Sequence, residues 1–264
     1  MNYKGDKMEI FLKKFSLKGK KAIVTGGTRG LGYGMAEGLL EAGCEVAIVG
    51  SSNKTMSTAV AFVEQGYKCH GVKADLRNKQ DNYRVFDECL AALDGDLDIL
   101  VTAAGIQRRH IAVDFPIEDW DEIMSINIRS VFIMCQLAGK KMLKQNSGRI
   151  INIASMTSFF GSEMIPAYAA SKGAVSQLTK ALSNEWSSKG VNVNAIAPGY
   201  METKLTADMK VKNPKQYEEI TGRIPKHRWG QAEDLKGLTV FLSSEASSYI
   251  TGAIIPVDGG YLGK

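Results

Sequence analysis

Short apolar runs alternate with longer amphipathic runs along most of this chain. The apolar runs predict buried strands over residues 21–25, 45–50, 69–73, 97–102, 149–154, 191–196 and 253–257. The amphipathic runs predict helices over residues 30–42, 54–65, 79–93, 117–144, 167–189 and 232–243. Strands rich in Val and Ile that alternate with helices indicate a parallel sheet covered on both faces. The expected fold is therefore α/β, with a doubly wound, parallel seven-stranded sheet.

Two regions stand apart from this alternation. Residues 1–14 carry a cluster of lysines at Lys4, Lys7, Lys13 and Lys14, which predicts a solvated N-terminal extension. Residues 200–230 carry charge and little periodicity, which favours a mobile lid over a site. No internal linker or short repeat divides residues 15–264, so we expect one domain there.

Composition and charge exclude several classes of protein. Of 264 residues, 44% are hydrophobic and 23% charged, which is typical of a globular protein, and the net charge of +5 is too dispersed to favour nucleic acid. The four cysteines form no Cys-x-x-Cys pair and the three histidines lie far apart, so we expect reduced thiols and no metal site. No apolar run has membrane-spanning length and the N-terminus lacks a signal-peptide pattern, which predicts a cytoplasmic protein without a membrane partner.

A glycine-rich segment follows the first predicted strand and opens the first helix after it. Its spacing is Gly-x-x-x-Gly-x-Gly, from Gly26 through Gly30 to Gly32. Glycines at such a turn let the backbone approach a pyrophosphate, and the helix N-terminus offers free N–H groups. The segment predicts a dinucleotide site whose candidate contacts are Gly26, Thr28, Arg29, Gly30, Leu31 and Gly32.

The ends of the next strands supply further candidate cofactor contacts. Asp75 and Leu76 follow the third strand, where a carboxylate can accept from an adenine amino group or cap a helix near Asn78. The small residues Ala103, Ala104 and Gly105 end the fourth strand and let a flat cofactor lie against the backbone, although close packing explains them equally well.

The ribose end of the cofactor is not settled by the second strand. An acid at its end would favour NAD, because it binds the ribose hydroxyl and repels a phosphate. Here the candidate contacts are Ser51 and Ser52, with no acid, and Arg29 can pair with a ribose phosphate. The residues leave NAD and NADP both open.

Four polar residues suggest proton transfer at a carbonyl oxygen. Tyr168 and Lys172 lie four residues apart on one helix face, and a nearby ammonium is expected to lower the pKa of the phenol. Tyr168 can then act as general acid or base, with Ser155 donating to the same oxygen. Asn127, inside the long helix, can hold a water that relays protons to Lys172. Taken singly, each residue is better explained as a helix cap, a surface pair or a minor polar contact. Their occurrence together with the glycine turn makes coincidence a poor explanation.

These motifs together resemble the short-chain dehydrogenase/reductase family. The likeness rests on the glycine turn, Asp75, Asn127, Ser155, the Tyr168-x-x-x-Lys172 pair and Pro198-Gly199, and it extends from about residue 15 to the end. It implies a single Rossmann-type domain, a homotetramer, NAD with NADP not excluded, and a catalytic set of Asn127, Ser155, Tyr168 and Lys172. It also implies that Pro198, Gly199, Met201, Thr203, Tyr168 and Lys172 contact the cofactor.

One departure from the family pattern concerns the fourth strand. The family usually carries Asn-Asn-Ala-Gly or Asn-Ala-Ala-Gly at its end, whereas this chain has Thr102 in the first position. A customary side-chain tie to the central strands is therefore altered, which bears on local stability more than on catalysis.

The substrate is indicated by the loop after the fourth strand. Arg108 and Arg109 leave the carboxyl end of a central strand, and guanidinium groups fit a carboxylate, although two exposed arginines are an equally good explanation. The combined segments resemble the sugar-acid branch of the family, which implies substrate contacts from Ser155 and Tyr168. The side chains of Tyr200, Trp229 and Glu163 would help to shape the sugar pocket, although packing explains each of these three equally well. The alternatives are an NADPH-dependent 3-ketoacyl-type reductase and a dinucleotide sensor without chemistry.

Overall fold

The fold is a central sheet wrapped by helices, as seen in a computed structural model that describes residues 3–203 and 209–264. The strands are β1 Lys21–Thr25, β2 Glu45–Gly50, β3 Cys69–Lys73, β4 Ile99–Thr102, β5 Gly148–Ile153, β6 Val191–Pro198 and β7 Ile254–Val257. The helices are α1 Tyr3–Lys13, α2 Gly30–Glu41, α3 Lys54–Glu64, α4 Lys79–Ala92, α5 Ile117–Met124, α6 Ser130–Lys144, α7 Pro166–Trp186, α8 Pro214–Arg223 and α9 Glu233–Ser243.

All seven strands are parallel and follow the order β3-β2-β1-β4-β5-β6-β7. The chain starts in the middle, builds outward to β3 and then returns to β4 beside β1. The strand order reverses between β1 and β4, and ligands of doubly wound sheets bind beyond the carboxyl ends at such a point. The predicted α/β fold with a doubly wound seven-stranded sheet is confirmed.

Two apolar layers cover the sheet, one on each face. One layer packs α4, α6 and α7 against the sheet, and the other packs α2, α3 and α9 against it. Central strands such as β1 and β4 are almost fully buried, which explains their continuous Val and Ile content. The four cysteines are unpaired and buried inside these layers, and burial raises the pKa of each thiol.

The structure adds detail that the periodicity did not predict. The long amphipathic run over 117–144 is three segments, because a π-helical turn at Ser125–Arg129 joins α5 to α6. Part of the region predicted as a lid forms α8, and residues 204–208 of that region lie outside the described residues. Whether the region moves stays a prediction.

The N-terminal extension contains a helix that was not predicted. Residues 8–14 are exposed, as expected for a solvated segment, but α1 runs through them. Phe15 connects this helix to the body, since its ring lies 5.7 Å from that of Phe11 and 6.2 Å from that of Phe241. Among the described residues, no helix is both long and apolar enough to cross a membrane.

Candidate active site

The candidate site lies beyond the carboxyl ends of the central strands. The glycine turn follows β1, Gly105 follows β4, Ser155 follows β5 and Tyr200 follows β6. Because all these strands run in the same direction, their following loops meet at one edge of the sheet. The topology therefore brings together residues that are distant in sequence.

The glycine turn has the geometry that a dinucleotide requires. Gly26 has a φ of +72°, and a Cβ there would lie 2.8 Å from the backbone nitrogen of Ala104. Gly30 has a φ of +56°, and nothing lies within 4 Å of a Cβ built there, so the turn is open on that side. Arg29, at the N-cap of α2, makes no side-chain cap hydrogen bond. The first N–H groups of α2 are therefore available to an anion, and the residues present fit a pyrophosphate.

The end of β2 lacks a carboxylate, as the sequence indicated. Ser51 and Ser52 are exposed there, and the side chain of Asn53 accepts from Nζ of Lys73 at 2.9 Å. Arg29 is also exposed, and no ion pair holds its guanidinium within the described part of the chain. The surroundings of the predicted ribose site are thus cationic. They suit a ribose phosphate, which an acidic side chain at the end of β2 would repel.

Asp75 is engaged by a neighbour rather than by the helix cap. Arg77 donates to both carboxylate oxygens of Asp75, from Nε at 2.9 Å and from Nη2 at 2.7 Å, and this holds the pKa of Asp75 below its usual range. Asn78 caps α4 through its own side chain, which accepts from the amide of Gln80. Capping is therefore not the role of Asp75. Contact of Asp75 and the buried Leu76 with an adenine stays a prediction.

The end of β4 is tied to the neighbouring strands in spite of the Thr102 departure. The hydroxyl of Thr102 donates to Oδ1 of Asn152 at 2.8 Å, and Nδ2 of Asn152 donates to Thr179 at 3.0 Å. The amide of Ala104 donates to Oγ1 of Thr25 at 3.3 Å. The side chains of Thr102, Asn152 and Thr179 are buried, and these hydrogen bonds satisfy their polar groups. Thr102 therefore links β4 through Asn152 on β5 to Thr179 on α7. Ala103, Ala104 and Gly105 then leave the strand with the small side chains expected.

Ser155, Tyr168 and Lys172 converge at this edge. The Ser155 hydroxyl lies close enough to that of Tyr168 to lower the pKa of the phenol. Nζ of Lys172 lies 5.7 Å from the centre of the Tyr168 ring and donates to the carbonyl of Ile153. Lys172 is only 5% exposed and Ser155 6%, whereas Tyr168 is partly exposed toward the crevice. The arrangement places a phenol where a bound ligand can reach it, backed by a buried ammonium.

The expected lowering of the phenol pKa by Lys172 is wrong. Burial raises the pKa of Tyr168, and the Ser155 hydroxyl opposes this only in part. Burial also lowers the pKa of Lys172 to about 8, and none of the described carboxylates pairs with its ammonium to offset this. An ammonium that is partly neutral near that pH attracts a phenolate less than a permanent cation would.

Asn127 lies in the π-helical turn and is completely buried. Its Oδ1 accepts from the amide of Ile106 at 2.9 Å, and its Nδ2 donates to the carbonyl of Ile106 at 2.9 Å and to Oγ of Ser171 at 3.1 Å. The side chain thus fixes the loop that follows Gly105 against α7. Its amide already has protein partners, so a water relay to Lys172 stays a prediction.

The structure separates the two arginines of the following loop. Arg108 forms ion pairs with Glu122 at 2.8 Å and with Asp119 at 3.8 Å. Arg109 is exposed and has no carboxylate partner within residues 3–203 and 209–264, and its charge acts on the hydroxyl of Tyr200. Only Arg109 is therefore available to a ligand carboxylate.

Aromatic rings form one wall of the crevice. The Tyr200 ring lies 5.2 Å from that of Trp229 and 5.4 Å from that of Tyr261. Trp229 is buried, and its Nε1 donates to Thr221, so it supports Tyr200 from behind instead of lining the crevice. Glu163 is exposed. The sequence reasoning missed Tyr261, although it directly follows the glycine pair after the last strand.

The remaining predicted cofactor contacts lie after β6. Pro198 ends the strand, and the amide of Gly199 donates to the carbonyl of Val257 at 3.0 Å. Met201 forms an isolated parallel bridge with Gly230. Thr203 is the last residue described before the gap. Their contact with a cofactor stays a prediction.

Comparisons with known proteins place the chain among dehydrogenases. A family model described as enoyl-(acyl carrier protein) reductase matches residues 26–262. The chain is 44% identical to 2-dehydro-3-deoxy-D-gluconate 5-dehydrogenase of Escherichia coli, over 97% of this chain and 100% of that one. It is 39% identical to gluconate 5-dehydrogenase of Gluconobacter oxydans, over 93% of this chain and 96% of that one.

A solved structure agrees with the fold over nearly the whole chain. The crystal structure of a gluconate 5-dehydrogenase from Burkholderia cenocepacia, in complex with NADP and tartrate, superimposes with a TM-score of 0.91. It is 36% identical and covers 96% of this chain and 99% of its own. With these matches and the architecture above, the chain belongs to the short-chain dehydrogenase/reductase family.

Proposed function

We propose that the protein is an NAD(P)-dependent oxidoreductase that interconverts a secondary alcohol and a ketone of a sugar acid. The first candidate substrate is 2-dehydro-3-deoxy-D-gluconate, an intermediate of uronate breakdown, after which the Escherichia coli relative is named. Gluconate, after which the Gluconobacter oxydans relative is named, is the second candidate. The observation that carries the proposal is the convergence of Ser155, Tyr168 and Lys172 on the edge where the glycine turn lies.

The chain's residues supply the proton and the binding of the reacting oxygen. The nicotinamide supplies a hydride to the carbonyl carbon in reduction and accepts it in oxidation. In reduction, Tyr168 donates its phenolic proton to the carbonyl oxygen while Ser155 stabilises that oxygen with a hydrogen bond. In oxidation the same phenol must first lose its proton, and Tyr168 then accepts the proton of the alcohol.

The raised pKa of Tyr168 sets an expectation for direction. A phenol that stays protonated at neutral pH is ready to act as an acid, so reduction needs no prior ionisation. Oxidation needs the phenolate, so its rate is expected to rise with pH across the alkaline range. This asymmetry favours ketone reduction near neutral pH.

The cofactor site suits a phosphorylated ribose as well as an unphosphorylated one. No acid ends β2 to repel a phosphate, and Arg29 is exposed beside the turn. The Burkholderia cenocepacia relative was solved with NADP. We propose that NADP is accepted alongside the NAD expected from the family likeness, with Arg29 recognising the additional phosphate.

Arg109 is proposed as the anchor of the substrate carboxylate. It lies in the loop after β4, close enough to Tyr200 for its positive charge to oppose the rise that burial causes in the pKa of that phenol. Arg108 is held by Glu122 and Asp119 and cannot serve two carboxylates equally well. A greasy acyl substrate is disfavoured by this cationic rim, which argues against the 3-ketoacyl alternative.

A substrate panel with matched variants tests the proposal. The wild-type protein is assayed with sugar acids, their keto forms and a neutral polyol of equal length, in each nicotinamide species, by the change in nicotinamide absorbance. Arg109→Gln is expected to raise KM for sugar acids about tenfold or more and to leave the polyol unaffected. Arg108→Gln, the comparison variant, removes the ion pairs with Glu122 and Asp119 and should raise KM for sugar acids less than Arg109→Gln does. Equal responses to Arg109→Gln would refute the carboxylate anchor, and no turnover with any sugar acid would refute the function.

The oligomeric state and the cellular compartment are proposed from the family likeness and from the state of the cysteines. A homotetramer is expected from the family and is testable by light scattering coupled to size exclusion. The four unpaired, buried thiols support a reducing, cytoplasmic compartment.

A further inference from the structure

An unbroken series of ion pairs connects the loop after β3 with the loop after β4. Arg77 binds Asp75 at 2.7 Å and Glu122 at 3.1 Å. Glu122 in turn binds Arg108 at 2.8 Å. Asp119, one turn earlier on α5, lies 3.8 Å from Arg108. We call these five side chains, together with His110, the ion-pair chain.

The ion-pair chain ends at the segment that leads into α7. Nε2 of His110 is 2.6 Å from Oδ2 of Asp119, and the amide of His110 donates to the carbonyl of Met164 at 3.0 Å. Met164 belongs to the segment between Ser155 and α7, which carries Tyr168. The chain therefore spans from the predicted adenine contact at Asp75 to the loop that presents Arg109.

Glu122 is the central member of this series. Its Oε1 accepts from Arg77 and its Oε2 from Arg108, so one carboxylate joins the two loops. The Glu122 side chain is 22% exposed, while Arg77 and Arg108 are 55% and 41% exposed. Single ion pairs with such exposure stabilise a fold little, whereas a linked series fixes the relative position of its members.

We propose that Glu122 is a positioning residue through which occupation of the adenosine end of the cofactor site further restrains residues 107–110, beyond the Ile106 anchor that Asn127 supplies. A ligand that contacts Asp75 limits the positions open to Arg77, and Glu122 passes this restriction to Arg108. The loop that carries Arg109 is thereby held in place before the sugar acid binds. Binding at the two ends is then synergistic, and the synergy is equal in both directions.

The proposal rests on the proposed function in one respect, namely that the adenosine end of a dinucleotide lies at Asp75. Adenosine monophosphate is a suitable probe, because it fills that end without extending to the nicotinamide side. The readout is hydrogen exchange of the His110 amide, which is hydrogen-bonded to Met164 in the folded chain. This readout needs neither the sugar acid nor turnover.

In the wild type, saturating adenosine monophosphate is expected to slow exchange of the His110 amide about fivefold, at the low end of usual coupling factors. Glu122→Gln should abolish this response while still binding the nucleotide in titration calorimetry, with an affinity that changes by no more than the about fivefold coupling factor. Glu118→Gln, an exposed change on the same helix, should keep it. Arg108→Gln breaks the series at the next link and should also abolish it.

Two results would overturn the proposal. One is a wild-type protein that binds adenosine monophosphate without any change at His110. The other is a Glu122→Gln variant that retains the full response, since coupling would then bypass this carboxylate. A wild type that binds neither adenosine monophosphate nor NADP would overturn the proposed function itself, and the coupling with it. A merely structural role for Glu122 predicts a lower Tm with the His110 response intact, which counts against the proposal.

Discussion

The buried ammonium of Lys172 should leave a measurable signature in the stability of the fold. Lys172 is 5% exposed, has no carboxylate partner among the described residues, and burial lowers its pKa from 10.5 to about 8. Between about pH 8 and 10.5 the unfolded chain keeps the proton that the folded chain has released. Stability must therefore rise with pH across this window.

The size of the effect follows from the two pKa values. Charging a group whose pKa falls from 10.5 to about 8 costs the folded state about 3 kcal/mol at neutral pH, at about 1.4 kcal/mol for each pH unit of difference. About 2 kcal/mol of this penalty is relieved between about pH 7 and 9.5. The hydrogen bond from Nζ to the carbonyl of Ile153 stabilises the ammonium in part.

Lys172→Met isolates the contribution of the Lys172 ammonium to the pH dependence of the free energy of unfolding. Urea unfolding of the wild type and the variant is followed by circular dichroism at several pH values, and the difference in unfolding free energy is compared. The wild type is expected to gain about 2 kcal/mol relative to Lys172→Met between about pH 7 and 9.5. Lys180→Met, an exposed change on the same helix, should show no such gain. A constant difference between wild type and Lys172→Met across this range would refute the reasoning.

Four further predictions follow from the site. Tyr168→Phe should lower kcat about 10²- to 10⁴-fold with cofactor affinity unchanged in a binding titration, and retained turnover would exclude the phenol as the proton donor. Arg29→Ala should raise KM for NADP about tenfold and barely alter KM for NAD; an equal increase for both cofactors would show that Arg29 does not recognise the ribose phosphate. Gly26→Ala should destabilise the fold by about 2–3 kcal/mol in urea, because φ is +72° and its Cβ would meet Ala104, whereas an unperturbed midpoint would contradict the turn geometry. Thr102→Val should lower Tm through loss of the bond to Asn152, worth about 1–3 kcal/mol, and Thr102→Ser should restore it; equal Tm values for both variants would show that the hydroxyl is dispensable.

The fold was largely predictable from the sequence because periodicity and burial coincide. Strands such as β1 and β2 lie inside continuous apolar runs, so their bounds match the prediction. The α8 helix was missed because it is short, mostly polar and buries no residue completely, so its apolar positions are too few to stand out in the sequence. The π-helical turn was missed because an inserted residue leaves the polar and apolar composition of a helix unchanged.

The sequence predicted which residues belong to the candidate site, but not their ion pairs or their pKa shifts. Spacing alone placed Tyr168 and Lys172 on one helix face, and the structure brings Ser155 to them. Sequence could not show that Arg108 is held by Glu122 while Arg109 is free of ion pairs among the described residues, because those partners come from different elements. Nor could it show that burial would raise the pKa of Tyr168 instead of lowering it.

The π-helical turn at Ser125–Arg129 has a consequence for how this protein tolerates insertions and deletions. A π-helical turn holds one residue more than an α-helical turn, so removing one residue there would restore regular winding with little rotation of α5 relative to α6. The loss would fall on Asn127, which lies inside the turn and joins Ile106 to Ser171, while the buried side of α6 would stay in place. A gap-free alignment across this turn is thus a requirement for any chimera built with a relative.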